Sequence, residues 1–128
     1  MIVADCTVIA RLIIRADDPG PVDSLFERDP GWMAPSLWQA EFASVLCRYE
    51  RAGRLPPDGT AALIEKALEL FAQTTRQVPI AHVLETARRT GCSSYDSHYI
   101  ALAEDLRLKL WTYDGEILKK CPRISQKP

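Results

Sequence analysis

Short apolar segments alternate along the chain with longer segments of helical periodicity. Residues 2–5, 32–34 and 109–112 are rich in apolar or β-favouring side chains and are short enough to be buried strands. Strands separated by helices are typical of α/β proteins, in which the helices connect neighbouring parallel strands. We therefore predict an α/β fold built on a parallel sheet.

The longest predicted helix begins after Ser36, which is suited to cap it, and ends near residue 52. The break at residues 53–57 leads into another helix with an apparent apolar stripe. That stripe consists of Leu63, Ala67, Leu70 and Phe71. The two helices form a predicted αα-hairpin over about residues 36–73, inserted between the second and third strands.

The remaining strands have weaker signals. Residues 77–79 are a candidate third strand, which Pro79 restricts to the edge of the sheet because proline has no N–H to donate. Residues 122–124 are a candidate fifth strand. Helices are predicted over residues 80–89, ending at Gly91, and from Asp96 onward.

The composition fits one soluble globular domain over residues 1–128, with 47% hydrophobic and 26% charged residues. The four cysteines form no C-x-x-C pair and have no zinc-ligand spacing, so free thiols in a reducing compartment are expected. No apolar segment approaches the roughly 20 residues that a membrane helix needs. We expect a cytoplasmic protein with no membrane partner.

Four acidic residues stand where they could meet at one edge of such a sheet. Asp5 and Asp114 follow predicted strands, Asp96 lies in the first turn of its helix, and Glu41 lies in the second turn of the long helix. The carboxyl ends of parallel strands form the usual ligand-binding edge of an open α/β sheet. Mg²⁺ and Mn²⁺ bind preferentially to oxygen ligands such as carboxylates. The four acids therefore indicate a metal-dependent enzyme acting on phosphates.

Each acid also has a structural interpretation. Asp5 could cap the helix that follows it, Asp96 completes an S-x-x-D capping pattern, and Asp114 begins an Asp-Gly turn. Glu41 lies among apolar residues, where an unpaired carboxylate is costly, unless a nearby arginine pairs with it. A bound cation would account for all four positions together.

The charge is compatible with an RNA partner. The formal net charge is −1, and it would be +3 if the four acids were neutralised. Arg48 and Arg51 lie one turn apart on the long helix and are the candidate contacts to nucleic-acid phosphates. Clusters of basic residues are also common on solvated helix faces, so this interpretation stays open.

The ordered motifs resemble those of a PIN domain, specifically the VapC-like toxin ribonucleases. These motifs are the initial strand with Asp5, Glu41 in a long helix after Ala34-Pro35, Tyr95-Asp96 before an apolar helix, and Leu110-Trp111-Thr112-Tyr113-Asp114. The likeness covers nearly the whole chain. It implies a three-layer α/β/α fold with strand order 3-2-1-4-5.

The resemblance also implies an activity and partners. The activity is endoribonuclease cleavage by water that one or two Mg²⁺ or Mn²⁺ ions activate. Asp5, Glu41, Asp96 and Asp114 match the metal-binding and catalytic acids of the family. Thr112 matches a hydroxyl position that would orient an acid or a water, and Thr7 matches another. A homodimer and a cognate antitoxin that blocks the site are the implied protein partners.

Other function classes fit less well. The haloacid dehalogenase pattern requires a second Asp two residues after the first, where this chain has Thr7. A response-regulator receiver requires an acidic pair before its phosphorylated Asp. The alternative that stays open is a catalytically silent PIN-like scaffold that binds RNA or protein without cutting.

Overall fold

Five short strands form one parallel sheet in a computed structural model that describes residues 1–128. The strands are β1 (Ile2–Ala4), β2 (Trp32–Pro35), β3 (Thr75–Arg76), β4 (Leu110–Trp111) and β5 (Ser125–Gln126). Their order is β3-β2-β1-β4-β5, as the resemblance implied. β1 therefore lies at the centre of the sheet, between β2 and β4.

Seven α-helices connect and cover the strands. They are α1 (Cys6–Ile14), α2 (Gly20–Arg28), α3 (Leu37–Arg51), α4 (Pro57–Phe71), α5 (Ile80–Thr90), α6 (Ser94–Leu106) and α7 (Gly115–Lys120). Helix α1 contacts α2, α3 and α4, whereas α6 packs against α5, β1 and β2. The predicted α/β fold with helices on both faces of a parallel sheet is confirmed. No helix is both long enough and apolar enough to span a lipid bilayer.

Two strands are formed by residues other than the ones predicted from the sequence. The third strand is Thr75–Arg76 rather than residues 77–79, because Pro79 precedes α5 as its N-cap and Ser36 N–H bonds to the Arg76 carbonyl. The fifth strand is Ser125–Gln126 rather than residues 122–124. Residues at these sheet edges need few apolar side chains, so their hydrophobic pattern is a poor guide.

Two side-chain predictions also differ from the structure. Ser36 occupies the N-cap position of α3, but its side chain makes no capping hydrogen bond and instead donates to Gln77 Oε1 at 3.2 Å. Leu70 is 40% exposed, whereas Ala67 and Phe71 are buried. Successive helical residues point about 100° apart, so Leu70 cannot share the buried direction of Phe71.

An aromatic cluster fills the core between the sheet and the helices α3 and α4. The Phe71 ring stacks on Trp32, with centroids 6.0 Å apart, and meets Trp38 edge-on at 5.9 Å. Trp38 is fully buried, and its Nε1 donates to Thr75 Oγ1 at 2.8 Å. This hydrogen bond ties the base of α3 to β3. The cluster therefore fixes the direction of α3, the helix that carries Glu41.

Replacing Phe71 with alanine would leave a cavity in this cluster. We expect Phe71→Ala to lower the free energy of unfolding by about 3–5 kcal/mol, the usual range for a buried aromatic residue. Urea denaturation monitored by circular dichroism measures the change. Leu70→Ala, one residue earlier and exposed, is the matched control and should cost less than about 1 kcal/mol. Equal losses in the two variants would contradict the packing described here.

Candidate active site

Asp5 lies at the carboxyl end of β1 and is 4% exposed. Its Oδ1 accepts hydrogen bonds from the backbone N–H groups of Thr7 and Val8, at 3.0 and 3.2 Å, and from the Thr7 hydroxyl. Its Oδ2 accepts a hydrogen bond from the Thr112 hydroxyl. Asp5 thus caps α1, as one interpretation of the sequence predicted. It also lies at the ligand-binding edge of the sheet.

The two threonines connect Asp5 to the segment that follows β4. Thr112 Oγ1 accepts a hydrogen bond from the Asp114 N–H at 2.8 Å, and Thr7 Oγ1 accepts one from the Tyr113 N–H at 2.9 Å. Each hydroxyl therefore donates to Asp5 and accepts from the backbone after β4. Both predicted supporting residues lie against the first acid, and together they hold Asp114 beside it.

Asp114 is the N-cap of α7. Its Oδ1 accepts hydrogen bonds from the N–H groups of Glu116 and Ile117 at 2.8 and 3.1 Å, so Oδ2 is left free. An acid in this position also interacts favourably with the positive end of the helix dipole. The side chain is therefore held in place with one oxygen available to a ligand.

Asp96 lies in the first turn of α6 and is half-buried. The turn is fixed by Gly91, which ends α5 with a left-handed φ of 73°, and by Ser93, whose Oγ accepts a hydrogen bond from the Asp96 N–H at 3.1 Å. The capping pattern seen in the sequence is thus made by Ser93. The Asp96 carboxylate itself is directed to the shared edge of the sheet, where Asp114 influences its ionisation.

Glu41 approaches the same edge from α3. Its Oε1 accepts a hydrogen bond from the hydroxyl of Tyr99 at 2.7 Å, and Tyr99, on α6, is buried. The alternative that an arginine neutralises Glu41 is wrong, because no arginine or lysine nitrogen lies within 4.0 Å of it. The hydrogen bond connects helices that approach from different parts of the chain.

Sequence reasoning missed Tyr99. It lies one helical turn after Asp96 and begins the apolar segment that continues through Ala103. A buried tyrosine hydroxyl usually needs a hydrogen-bond partner, so a tyrosine at the head of a buried helical face was the available signal. Its partner could not be identified because Glu41 is 58 residues away in the chain.

Glu41, Asp96 and Asp114 lie close enough for their charges to interact, and Thr112 connects Asp5 to Asp114. We call these four acidic residues the acid rim. Burial raises the pKa of Glu41, and the charges of Asp96 and Asp114 raise it further, whereas the Tyr99 hydrogen bond opposes the shift. Burial and the Asp114 charge likewise raise the pKa of Asp96. Burial raises the pKa of Asp5 to about 6, although four hydrogen bonds oppose this. The sheet edge thus brings acids together that remain partly uncompensated.

The donor set of the acid rim suits a hard divalent cation because every candidate ligand atom is a carboxylate oxygen. No three His, Cys, Asp or Glu side chains lie close enough together to hold a metal ion between them. Like-charged carboxylates repel one another until a cation neutralises them. Mg²⁺ commonly keeps several waters and takes only one or two carboxylates directly, so an open rim of this kind fits its chemistry.

Comparison with known proteins agrees with this geometry. The PIN domain family model matches residues 2–122. The chain therefore belongs to the PIN domain family. It is 30% identical to the protein named Ribonuclease VapC3 of Mycobacterium tuberculosis over 128 residues, which cover 94% of this chain and 88% of that relative. The resemblance to VapC-like members of the family is thus confirmed.

Solved structures share the fold. The crystal structure of a protein from Pyrobaculum aerophilum matches with a TM-score of 0.79 at 23% identity, covering 98% of this chain and 89% of the other. A toxin–antitoxin complex from Klebsiella pneumoniae contains a chain that matches with a TM-score of 0.68 at 15% identity, covering 95% and 93%. Both likenesses cover nearly the whole of this chain.

The buried Asp5 carboxyl predicts a pH dependence of stability. The unfolded chain ionises Asp5 near its ordinary pKa of 3.8, whereas the folded chain does so near 6. The folded state therefore loses stability as the pH rises through this window, and the loss, on the order of 3 kcal/mol, is complete above it. Asp5→Asn keeps a side chain that can cap α1 but removes the ionisable group, and with it this loss of stability.

We expect the free energy of unfolding of Asp5→Asn to fall less between pH 4 and pH 7 than that of the wild type. Urea titrations at each pH, with EDTA present throughout, measure the difference. Asp58→Asn, an exposed first-turn acid of α4, is the matched control and should follow the wild type. Parallel profiles for wild type and Asp5→Asn would contradict the effect of burial.

The hydrogen bond between Tyr99 and Glu41 predicts an energetic coupling between α6 and α3. Tyr99→Phe removes only the hydroxyl, and Glu41→Ala removes its acceptor. We expect a coupling free energy of about 1–3 kcal/mol in a double-mutant cycle at pH 7, as for hydrogen bonds to a charged group. Urea unfolding of the four proteins supplies the cycle. Additive effects of the two substitutions would show that the contact contributes nothing.

Proposed function

We propose that this chain is a metal-dependent endoribonuclease of the VapC type, hydrolysing RNA phosphodiesters at the acid rim. The observation that carries the proposal is the meeting of Glu41, Asp96 and Asp114: burial raises the pKa of Glu41 and Asp96, and the charges of the neighbouring acids raise it further. A cluster of uncompensated carboxylates is unfavourable unless a cation occupies it. The name of the Mycobacterium tuberculosis relative, a ribonuclease, supports the same activity.

The acid rim would hold one or two Mg²⁺ or Mn²⁺ ions through Asp5, Glu41, Asp96 and Asp114. A divalent cation supplies charge neutralisation for the phosphate and lowers the pKa of water near it. Asp114 offers its free Oδ2, and Glu41 offers the oxygen that Tyr99 does not engage. Asp5 is fixed beneath them by the two threonine hydroxyls.

The residues of the chain have separate tasks in this hydrolysis. Water attacks phosphorus and forms a new P–O bond, one ester P–O bond breaks, and the departing ribose oxygen takes up a proton. A rim carboxylate oxygen that the cation leaves free, on Glu41 or Asp96, is suited to accept the proton of the attacking water. Tyr99 keeps Glu41 in one orientation during this transfer.

The proposed partners are RNA, a cognate antitoxin and a second copy of the chain. Arg48 and Arg51 on α3 are the proposed contacts to RNA phosphates. The structural neighbour from Klebsiella pneumoniae is a toxin–antitoxin complex, which supports an antitoxin as the regulator of this chain. The homodimer is a proposal that rests on the family resemblance.

Cleavage assays with and without metal test the proposed activity. A panel of tRNA, rRNA fragments and single-stranded RNA is incubated with Mg²⁺, Mn²⁺ or EDTA. Asp96→Asn keeps the size of the side chain and removes its charge. We expect cleavage that requires a divalent ion and that falls by about 100-fold or more in Asp96→Asn, within the range for loss of a catalytic acid or base.

Asp105→Asn is the matched control. It makes the same change near the other end of α6, where Asp105 pairs with His82 at 3.1 Å. Its cleavage rate should equal that of the wild type. RNA that is bound but stays intact with either metal would overturn the nuclease and favour a catalytically silent binding scaffold.

A further inference from the structure

A surface groove runs from the acid rim along the space between α1 and α3. Its main cavity, of about 480 Å³, is lined by Thr7 from α1 and by Glu41, Arg48 and Tyr49 from α3, among others. A smaller cavity of about 100 Å³ shares Thr7 and Tyr49 and extends the opening along α1. We call this opening, with Ser44 on its wall, the α1–α3 groove. It is continuous with the acid rim because Glu41 belongs to both and because Thr7, on the groove wall, donates hydrogen bonds to Asp5.

Arg48 faces the same way as Glu41. The two residues are seven positions apart on α3, which is two helical turns and a distance of about 10 Å along the axis. Arg48 is exposed, and no carboxylate lies within 4.0 Å of its guanidinium. Arg51 lies three residues further on and does not line the groove. Arg48 therefore presents an unpaired charge to the groove beside the acid rim.

Two of the cations on the other side of the acid rim are already engaged. Lys120 Nζ lies 2.8 Å from Glu116 and donates to the Gly91 carbonyl at 2.9 Å. Arg89 is paired with Glu104 at 2.6 Å. A polynucleotide cut at the rim must continue across the protein surface, and its phosphates favour unpaired cations. The α1–α3 groove offers one such cation, the guanidinium of Arg48, two helical turns from Glu41.

Tyr49 adds an aromatic surface to the same groove. It lines both cavities, and the guanidinium of Arg54 lies over its ring at 4.7 Å from the centroid. Aromatic side chains in single-stranded RNA sites commonly stack on bases without regard to sequence. A phosphate contact and a base contact are thus available side by side, which is the arrangement that a nucleotide requires.

On the basis of the proposed function, we propose that the α1–α3 groove binds the nucleotide next to the scissile phosphodiester. Arg48 contacts a phosphate of that nucleotide, and Tyr49 packs against its base. Phosphate contacts of this kind position a strand without reading its sequence. The groove thus sets the register of the RNA on the acid rim, and its effect is the same for RNAs of different sequence.

Binding of a fluorescein-labelled, mixed-sequence 12-nucleotide RNA, followed by anisotropy over a series of salt concentrations, tests this proposal. All proteins carry Asp96→Asn and the buffer contains Mg²⁺, so that the RNA stays intact. We expect Arg48→Gln to raise the Kd about tenfold, as for loss of a charge-assisted contact. The slope of log K against log salt should also become shallower by about 0.7, the value for one phosphate on a single strand.

Arg107→Gln is the matched control for charge. Arg107 is exposed, has no carboxylate partner, and follows the end of α6 that is opposite to Asp96. Its Kd and salt slope should equal those of the parent protein. A second variant, Ser44→Trp, fills the groove from an exposed position and should also weaken binding, whereas Ser44→Ala should not.

Unchanged affinity and slope in both Arg48→Gln and Ser44→Trp would overturn the groove, and cleavage by the wild type would still support the nuclease. Conversely, RNA binding that depends on Arg48 in a chain that never cleaves would support the groove and overturn the hydrolysis. If the substitutions change the molecular mass in light scattering while RNA affinity stays constant, the groove is a contact between protein copies and the proposal is wrong.

Discussion

The buried carboxylate of Asp5 is the group on which the rest of the site depends. An acid at the central strand of a sheet is costly to bury, and here the hydroxyls of Thr7 and Thr112 and two backbone N–H groups reduce that cost. The same two hydroxyls accept hydrogen bonds from the backbone after β4. Satisfying one acid therefore joins the carboxyl ends of β1 and β4 and fixes Asp114 next to it.

The remaining acids are held less tightly, and by different means. Glu41 is oriented by one hydroxyl, that of Tyr99, and Asp96 only by the capped turn in which it lies. The acid rim thus combines the fixed carboxylates of Asp5 and Asp114 with two half-buried ones, Glu41 and Asp96, whose mutual repulsion a bound cation would relieve. This arrangement suits a site in which Glu41 and Asp96 adjust when substrate binds, while Asp5 and Asp114 keep their positions.

Much of this arrangement was predictable because strand ends and helix caps are local signals. Asp5 and Asp114 come directly after predicted strands, so α/β topology places both at the carboxyl edge of the sheet. The strand order itself came from the family resemblance. The third and fifth strands were misplaced because Thr75–Arg76 and Ser125–Gln126 pair through backbone groups and carry little hydrophobic pattern. Tyr99 was missed because its role depends on a contact between distant segments, and the exposure of Leu70 depends on where α4 meets the core.

Asp5 and Asp114 each have two roles, so their presence in a related sequence does not by itself indicate activity. Asp5 caps α1 and Asp114 caps α7, so each contributes to folding independently of any chemistry. A descendant that lost hydrolysis would still be under pressure to keep both residues, or to replace them with asparagine. Glu41 and Asp96 cap no helix with their own side chains, but the hydrogen bond from buried Tyr99 would still favour a carboxylate at Glu41 once catalysis ceased. In a lineage of such chains, Asp96 is therefore the more informative record of whether the enzyme is still active.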